Sequence, residues 1–268
     1  PIAQGGIDSS IGLLGMGINK PGKIGMITGS SNLAMTLNTV SILNPNGSNN
    51  GPDNLLPGYY TDYVAQSSTG SILSWYRKQL CEDLSYQELD ALAKEIPIGS
   101  NGVLLLDYFQ GNKHPYYDSR TKGMFYGLTL SHTKADLYRS ILEGVAFGTE
   151  RMLDSFREKG VEIREMSIAG GSSRSPLWMQ IHADVSNIRI NVPKDKNAPN
   201  LGCAIACAKM LGIYPSLADA VDHMVRYEGI YFPDKENHAK YQKIYELYKN
   251  FYPTAKDWMH QFSDLFNQ

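Results

Sequence analysis

The stretch that most constrains this chain runs from Ile163 to Val185. Ile163–Ala169 is a short, mostly apolar run that suits a buried strand. Gly170-Gly171-Ser172-Ser173-Arg174-Ser175-Pro176 stops it. Ser175 is a favourable N-cap. Pro176 is a favourable first helical residue, because proline has no N–H to leave unsatisfied there. Leu177, Trp178, Ile181 and Val185 then share one helical face. A strand, a glycine turn and a helix in immediate succession point to an α/β architecture. The two glycines remove side chains where the backbone turns, so a flat ligand could approach closely. A bare strand-to-helix turn fits the same pattern, and short glycine motifs by themselves leave both readings open.

The rest of the chain surrounds that unit with further strands and helices. Gly5-Gly6-Ile7-Asp8 precedes a helix over Ser9–Met16, where Asp8 is either its N-cap or a carboxylate held at a turn for base chemistry. Gly17–Lys23 resembles the start of a phosphate-binding P-loop, but Ile24 stands where Ser or Thr is needed and no helix follows, so that reading is rejected. Lys23–Val40 has the pattern of a hairpin with Gly29-Ser30-Ser31-Asn32 at its tip. Such a tip is either an ordinary polar turn or a source of N–H groups and hydroxyls for an anion. Leu43–Gly58 reads as an exposed loop, and Tyr59–Ala65 as a strand. Helices are expected over Thr69–Leu80, with Trp75 in the core, and over Tyr86–Ile96. Val103–Leu106 reads as a buried strand. His114, alone in a tyrosine-rich loop, reads as a surface or hydrogen-bonding residue.

Thr133 and Asp136 form a short variant of a capping box ahead of a long helix. Gly144 in that helix costs about 1 kcal/mol relative to Ala, so close packing is expected there. Ile188–Val192 is a strand, Asn200 caps a small-residue helix, and Ala218–Tyr227 is another helix. Asn237–Phe262 is helical with a break at Tyr252-Pro253. The expected fold is α/β, with helices covering a mixed sheet, in one domain without internal repeats.

Composition narrows the function class. The formal net charge over 268 residues is −2. That balance gives no electrostatic basis for nucleic-acid or anionic-membrane binding. No apolar run approaches the roughly 20 residues that span a bilayer. Cys81, Cys203 and Cys207 suggest reduced core residues in a cytoplasmic protein. Asn46-Gly47-Ser48 fits the glycosylation pattern but reads as a loop without a secretion signal. The chain opens on Pro1, directly into what reads as a strand end and glycine turn, and is expected to be part of a longer protein.

Seven motifs in order now bear on a family. They are Gly5-Gly6-Ile7-Asp8, Gly29-Ser30-Ser31, Ser67 to Trp75, and Gly111-Asn112-Lys113-His114-Pro115. The others are Leu137 to Phe147 around Glu143-Gly144, Gly170 to Trp178, and Leu201-Gly202-Cys203-Ala204. The chain resembles the C-terminal domain of the FGGY carbohydrate kinases, within the actin-like, ribonuclease-H-fold ATPase superfamily. The likeness covers nearly the whole chain. Ser9 stands where many members have Gln, Ser30 where many have Thr, and Lys113 where Arg is usual, which loses the planar fork.

The resemblance implies roles. Asp8 falls at the catalytic base that takes the proton from the sugar hydroxyl. Gly29 and Ser30 fall at the hairpin that contacts the ATP phosphates. Gly170, Gly171, Ser172 and Ser175 fall at the nucleotide site, the last three at the adenine pocket. Glu143 and Gly144 match a structural signature without chemistry. ATP and Mg²⁺ are the implied cofactors, with no metal ligands identified. The implied substrate is a sugar or polyol, with a ketopentose such as xylulose or ribulose as the first candidate. The implied partner is an N-terminal sugar-binding domain of the same protein, and a homodimer is a further option. The chain alone is then expected to be inactive. The competing reading is a non-catalytic nucleotide-binding or oligomerisation module on the same fold.

Overall fold

The computed structural model describes residues 5–40, 42 and 55–266. The expected strand end at Pro1–Gln4, most of the expected loop after Leu43, and the Asn46 pattern lie outside them. In chain order the elements are α1 (Asp8–Gly15), β1 (Lys23–Thr28), β2 (Asn32–Asn38), β3 (Tyr60–Gln66), α2 (Gly70–Leu80) and α3 (Tyr86–Lys94). Then come β4 (Leu104–Leu106), β5 (Met124–Tyr126), α4 (Lys134–Arg157), β6 (Glu165–Gly170), α5 (Pro176–Ser186) and β7 (Arg189–Pro193). α6 (Ala198–Met210), α7 (Leu217–Met224), β8 (Tyr227–Tyr231) and α8 (Lys235–Asp264) complete the chain.

Six strands form one mixed sheet in the order β3-β2-β1-β6-β7-β8. β1, β2 and β3 are antiparallel neighbours, β1-β6-β7 run parallel, and β8 closes the edge antiparallel to β7. Two apolar clusters cover the two faces. One joins Ile24, Met26 and Ile168 to Ile141, Val145 and Phe147 of α4 and Ile181 of α5. The other joins Met35 and Leu37 to Leu13 of α1, Ile205 of α6 and Val221 of α7. Each fully buried large apolar side chain contributes about 1.5–3 kcal/mol.

The expected mixed sheet flanked by helices is therefore present. The Thr133–Asp136 capping box forms: Asp136 Oδ2 accepts from Thr133 N at 2.8 Å and from its hydroxyl at 2.7 Å. At Gly144 a Cβ would lie 2.7 Å from Leu105, so α4 packs there as closely as expected. Glu143 is structural. It pairs with Arg139 at 2.8 Å and accepts from Ser100 Oγ and Tyr241 Oη, which satisfies the buried charge.

Several expectations need correction. Ile7, not Asp8, is the N-cap of α1, and Asp8 is the first helical residue. Asn197, not Asn200, precedes α6. The Ala218–Tyr227 helix ends at Met224, and Tyr227–Tyr231 instead forms β8. An edge strand with Gly229 at its centre has too weak a pattern to be read from sequence. Val103–Leu106 shortens to β4 and pairs with β5 in a separate two-stranded sheet. α8 continues through Pro253 without a break. Tyr241, Tyr245, Tyr248 and Tyr252 bury one face along that helix, while Pro253 is exposed, so packing outweighs one lost backbone hydrogen bond. Only Cys81 is a core cysteine; Cys203 and Cys207 are half-buried, and all three are free thiols. His114 is buried rather than superficial. Its Nδ1 accepts from Ala65 N at 3.0 Å, and burial pushes its pKa down to about 4.

Candidate functional site

The site forms where the carboxyl ends of β1 and β6 lie side by side. These strands run parallel in register from Lys23 opposite Glu165 to Thr28 opposite Gly170. The chain must leave both strands at the same end, so the Gly29–Ser31 hairpin tip and the Gly171–Arg174 turn emerge together. Gly170 shows why the residue there is glycine. Its φ is +121°, and a Cβ would meet the Thr28 carbonyl oxygen at 1.9 Å. Ser172 Oγ donates to Thr28 Oγ1 at 2.5 Å, which ties the turn to the strand beside it. Ser175 caps α5 as expected, accepting from Trp178 N at 3.1 Å with Pro176 behind it.

The hairpin tip rests on the start of α2. Ser30 O accepts from Thr69 N at 2.9 Å and from Ser71 Oγ at 2.9 Å, and Gly70 N donates to Gly29 O at 3.1 Å. At Gly70 a Cβ would lie 2.3 Å from Gly29 O, so only glycine admits this approach.

Between the hairpin, the glycine turn and α2–α3 lies a cavity of about 690 Å³. Of the expected site residues, Gly29, Ser30, Gly171, Ser172 and Ser175 line it. Gly170 shapes the turn without reaching the wall. Nothing lies within 4 Å of the position a Gly171 Cβ would take, so the backbone there faces open space. The volume falls within the range of about 300–1,000 Å³ usual for small-molecule sites.

Other wall residues were not foreseen. Trp75 is 41% exposed on this wall, its ring 5.3 Å from Phe109, so it is not the core residue expected from the sequence. Trp75, Lys78 and Gln79 share one face of α2, and that mixed aromatic and polar stripe at helical spacing was the available signal. Lys78 and Arg174 bring positive charge to the wall. Asp90 brings a carboxylate, which accepts from Tyr138 Oη at 3.0 Å. Burial raises its pKa, and hydrogen bonds from Ser175 and Tyr138 act in the opposite direction.

Asp8 is not on the wall of this cavity. It is exposed at the start of α1, where its Oδ1 accepts from Ser9 N at 2.7 Å. The end of α1 leads through residues 16–22 into the start of β1. A Cβ at Gly25 of β1 would lie 2.4 Å from Leu13 Cδ2, so α1 packs closely on that strand. Among the described residues no group of three or more His, Cys, Asp or Glu could hold a metal ion. No helix among them is long and apolar enough to cross a membrane.

A mixed sheet in this strand order, with helices on both faces and a cavity at the carboxyl ends of its parallel strands, defines the actin-like, ribonuclease-H-like ATPase class. A solved xylulose kinase from Rhodospirillum rubrum superposes with a TM-score of 0.85 at 29% identity, over 94% of this chain and 51% of that one. The family model described as the C-terminal domain of the FGGY family of carbohydrate kinases matches residues 25–211. The chain belongs to that family. A ribulokinase from Bacillus licheniformis is 34% identical over 94% of this chain and 49% of its own length. A xylulose kinase from Bacillus subtilis is 28% identical over 96% of this chain and 51% of its own length. The chain thus spans about half the length of the curated relatives it matches.

Proposed function

We propose that this chain is the nucleotide-binding, C-terminal half of an ATP-dependent kinase that phosphorylates a sugar or polyol hydroxyl. The observation that carries the reading is the convergence of Gly29 and Ser30 with Gly171, Ser172 and Ser175 on one cavity, from segments about 140 residues apart in sequence. In this reading the open backbone at Gly171 and the Ser172–Ser175 segment receive the adenine. The Gly29–Ser30 tip offers a backbone N–H and a hydroxyl to the phosphates. Lys78 and Arg174 add positive charge to the same wall.

Phosphoryl transfer asks a protein mainly to position donor and acceptor and to stabilise charge on the phosphate oxygens. Asp8 is assigned as the general base. One carboxylate oxygen is fixed by the Ser9 N–H, which leaves the other to take the proton of the acceptor hydroxyl. Mg²⁺ commonly takes only one or two carboxylates together with substrate phosphates, so a site without a three-residue cluster is compatible with an ion carried by ATP. The acceptor is proposed to be a ketopentose, which the names of the ribulokinase and xylulose kinase relatives support. The remaining sugar contacts are assigned to an N-terminal domain of the same protein.

The test is Asp8→Asn in the whole protein that carries this chain. The amide is nearly isosteric, and its loss of charge in the first helical turn costs less than about 1 kcal/mol. It cannot accept the proton, so kcat should fall by roughly 10²–10⁴ while ATP and sugar affinity hold. Parental kcat in a folded Asp8→Asn variant would remove Asp8 from the chemistry.

A further inference from the structure

Behind the hairpin tip lies a buried polar chain that the proposed reaction does not use directly. It begins at Asp107, just beyond β4, and ends at Thr69, ahead of α2. Gln66 Nε2 donates to Asp107 Oδ2 at 2.6 Å and to Val145 O at 3.1 Å. Gln66 Oε1 accepts from Asn32 Nδ2 at 3.3 Å and from Thr149 Oγ1 at 3.1 Å. All four hydrogen-bonding positions of this amide are therefore filled. Asn32 Oδ1 in turn accepts from Thr69 Oγ1 at 3.1 Å. Thr69 N then donates to Ser30 O at the tip. Asn32, Gln66, Thr69 and Asp107 are all buried.

The chain has a direction: Asp107 and the Val145 carbonyl both require the Gln66 NH₂ group. An ionised carboxylate can only accept, so the Gln66 atom facing it must be the NH₂ group. That leaves Gln66 Oε1 for Asn32, which must then present its own NH₂ and keep Oδ1 for the Thr69 hydroxyl. A flip anywhere along the chain would set two donors or two acceptors face to face in a dry interior, at the cost of an unsatisfied buried group. The space for the first link is built in. A Cβ at Gly148 of α4 would lie 2.4 Å from Gln66 Nε2 and 2.6 Å from Asp107 Oδ2. Burial lifts the Asp107 pKa to about 6, and hydrogen bonds from Tyr248 and Gln66 oppose it, so the group is ionised at pH 7.5.

We propose that Asp107 is a positioning residue for the nucleotide phosphates. By anchoring the Gln66 amide with a charge-assisted hydrogen bond it holds Asn32 and Thr69, and through Thr69 the Ser30 tip, in one arrangement. This rests on the reading that the Gly29–Ser30 tip holds the phosphates. The signature is selective: losing Asp107 weakens ligands that carry phosphates and spares those that do not.

The experiment is calorimetric titration of the whole protein carrying this chain with ATP and with adenosine, alongside melting temperatures. Asp107→Asn leaves Gln66 at most a neutral partner at that position, so the charge-assisted anchor is lost while Val145 O still fixes the sense of the amide. ATP affinity should fall about tenfold, the scale of one charge-assisted hydrogen bond, while adenosine affinity stays within about twofold. Tyr248→Phe removes the other side-chain hydrogen bond to Asp107 but leaves the carboxylate facing Gln66. It should lower the melting temperature and leave the ATP-to-adenosine ratio unchanged. Thr69→Val cuts the last side-chain link together with the hydroxyl's contacts at 3.4 Å to Gly29 O and Ser30 O, and should reproduce the selective loss, which keeps the proposal refutable if Asp107→Asn does not fold. An unchanged ratio in Thr69→Val, an equal loss of both ligands in Asp107→Asn, or a ratio shift in Tyr248→Phe as large as in Asp107→Asn would each overturn the proposal. A parent protein that binds adenosine but gains nothing from the phosphates would instead sink the phosphate-tip reading beneath it.

Discussion

Gly70→Ala tests how the hairpin is held. The new Cβ would sit 2.3 Å from Gly29 O, about 1 Å short of ordinary contact. The obstacle is backbone, not the free end of a side chain. Gly29 O already accepts from Gly70 N at 3.1 Å, so the tip and the start of α2 must separate together. Overpacking of this kind costs about 1–3 kcal/mol, and the better helix propensity of Ala returns at most about 1 kcal/mol. The net loss of stability should be about 1–2 kcal/mol. The effect on chemistry should be larger, because a 1 Å misplacement of a positioning group can cost about 100-fold in rate. Urea denaturation and steady-state phosphorylation of a ketopentose, both on the whole protein, give the two numbers. A variant with parental stability and parental kcat/KM for ATP would refute the docking of the tip on α2.

Two further substitutions probe the site and the core. Gly171→Val has open space on the protein side, so it should melt within a few degrees of the parent; its side chain projects where a base would lie, and ATP affinity should fall. Unchanged affinity in calorimetric titration would make Gly170–Ser175 a bare turn. His182 is buried beside Trp178, and burial pushes its pKa down to about 3, so it is neutral in the folded protein and protonates first in the unfolded one. Its stabilising contribution is thus complete above pH 6.5 and is lost as pH falls toward 3. At pH 4.5 the penalty is about 2–3 kcal/mol. His182→Gln should therefore lose less stability than the parent between pH 7 and pH 4.5, measured by urea midpoints. Asp62 and Asp107, with pKa values raised to about 6, act with the opposite sign but equally in both proteins. Parallel pH curves for parent and variant would show that His182 is not held neutral.

The local pieces of this protein were legible in its sequence because their causes are local. Ser175 and Pro176 start α5, Thr133 and Asp136 cap α4, and the Gly29–Asn32 tip closes a hairpin through contacts between near neighbours in the chain. Gly144 announced close packing because an unfavourable helical residue needs a reason to be there. The mixed stripe of Trp75, Lys78 and Gln79 was a signal of a wall, but it did not decide that Trp75 would leave the core. An aromatic on an amphipathic helix carries no mark of which neighbour its face will meet. β8 was hidden because an edge strand draws its stability from β7 rather than from its own pattern. α8 passed through Pro253 because four tyrosines found a core that no window of sequence contains. Asp107, Gln66, Asn32 and Thr69 lie on separate segments, and their chain exists only once β2, β3, α2 and α4 are packed. Spacing decides helices, caps and turns. Which polar groups meet in the dry interior, and which way their amides must face, is decided by tertiary packing, because that packing alone removes the water that would otherwise satisfy them.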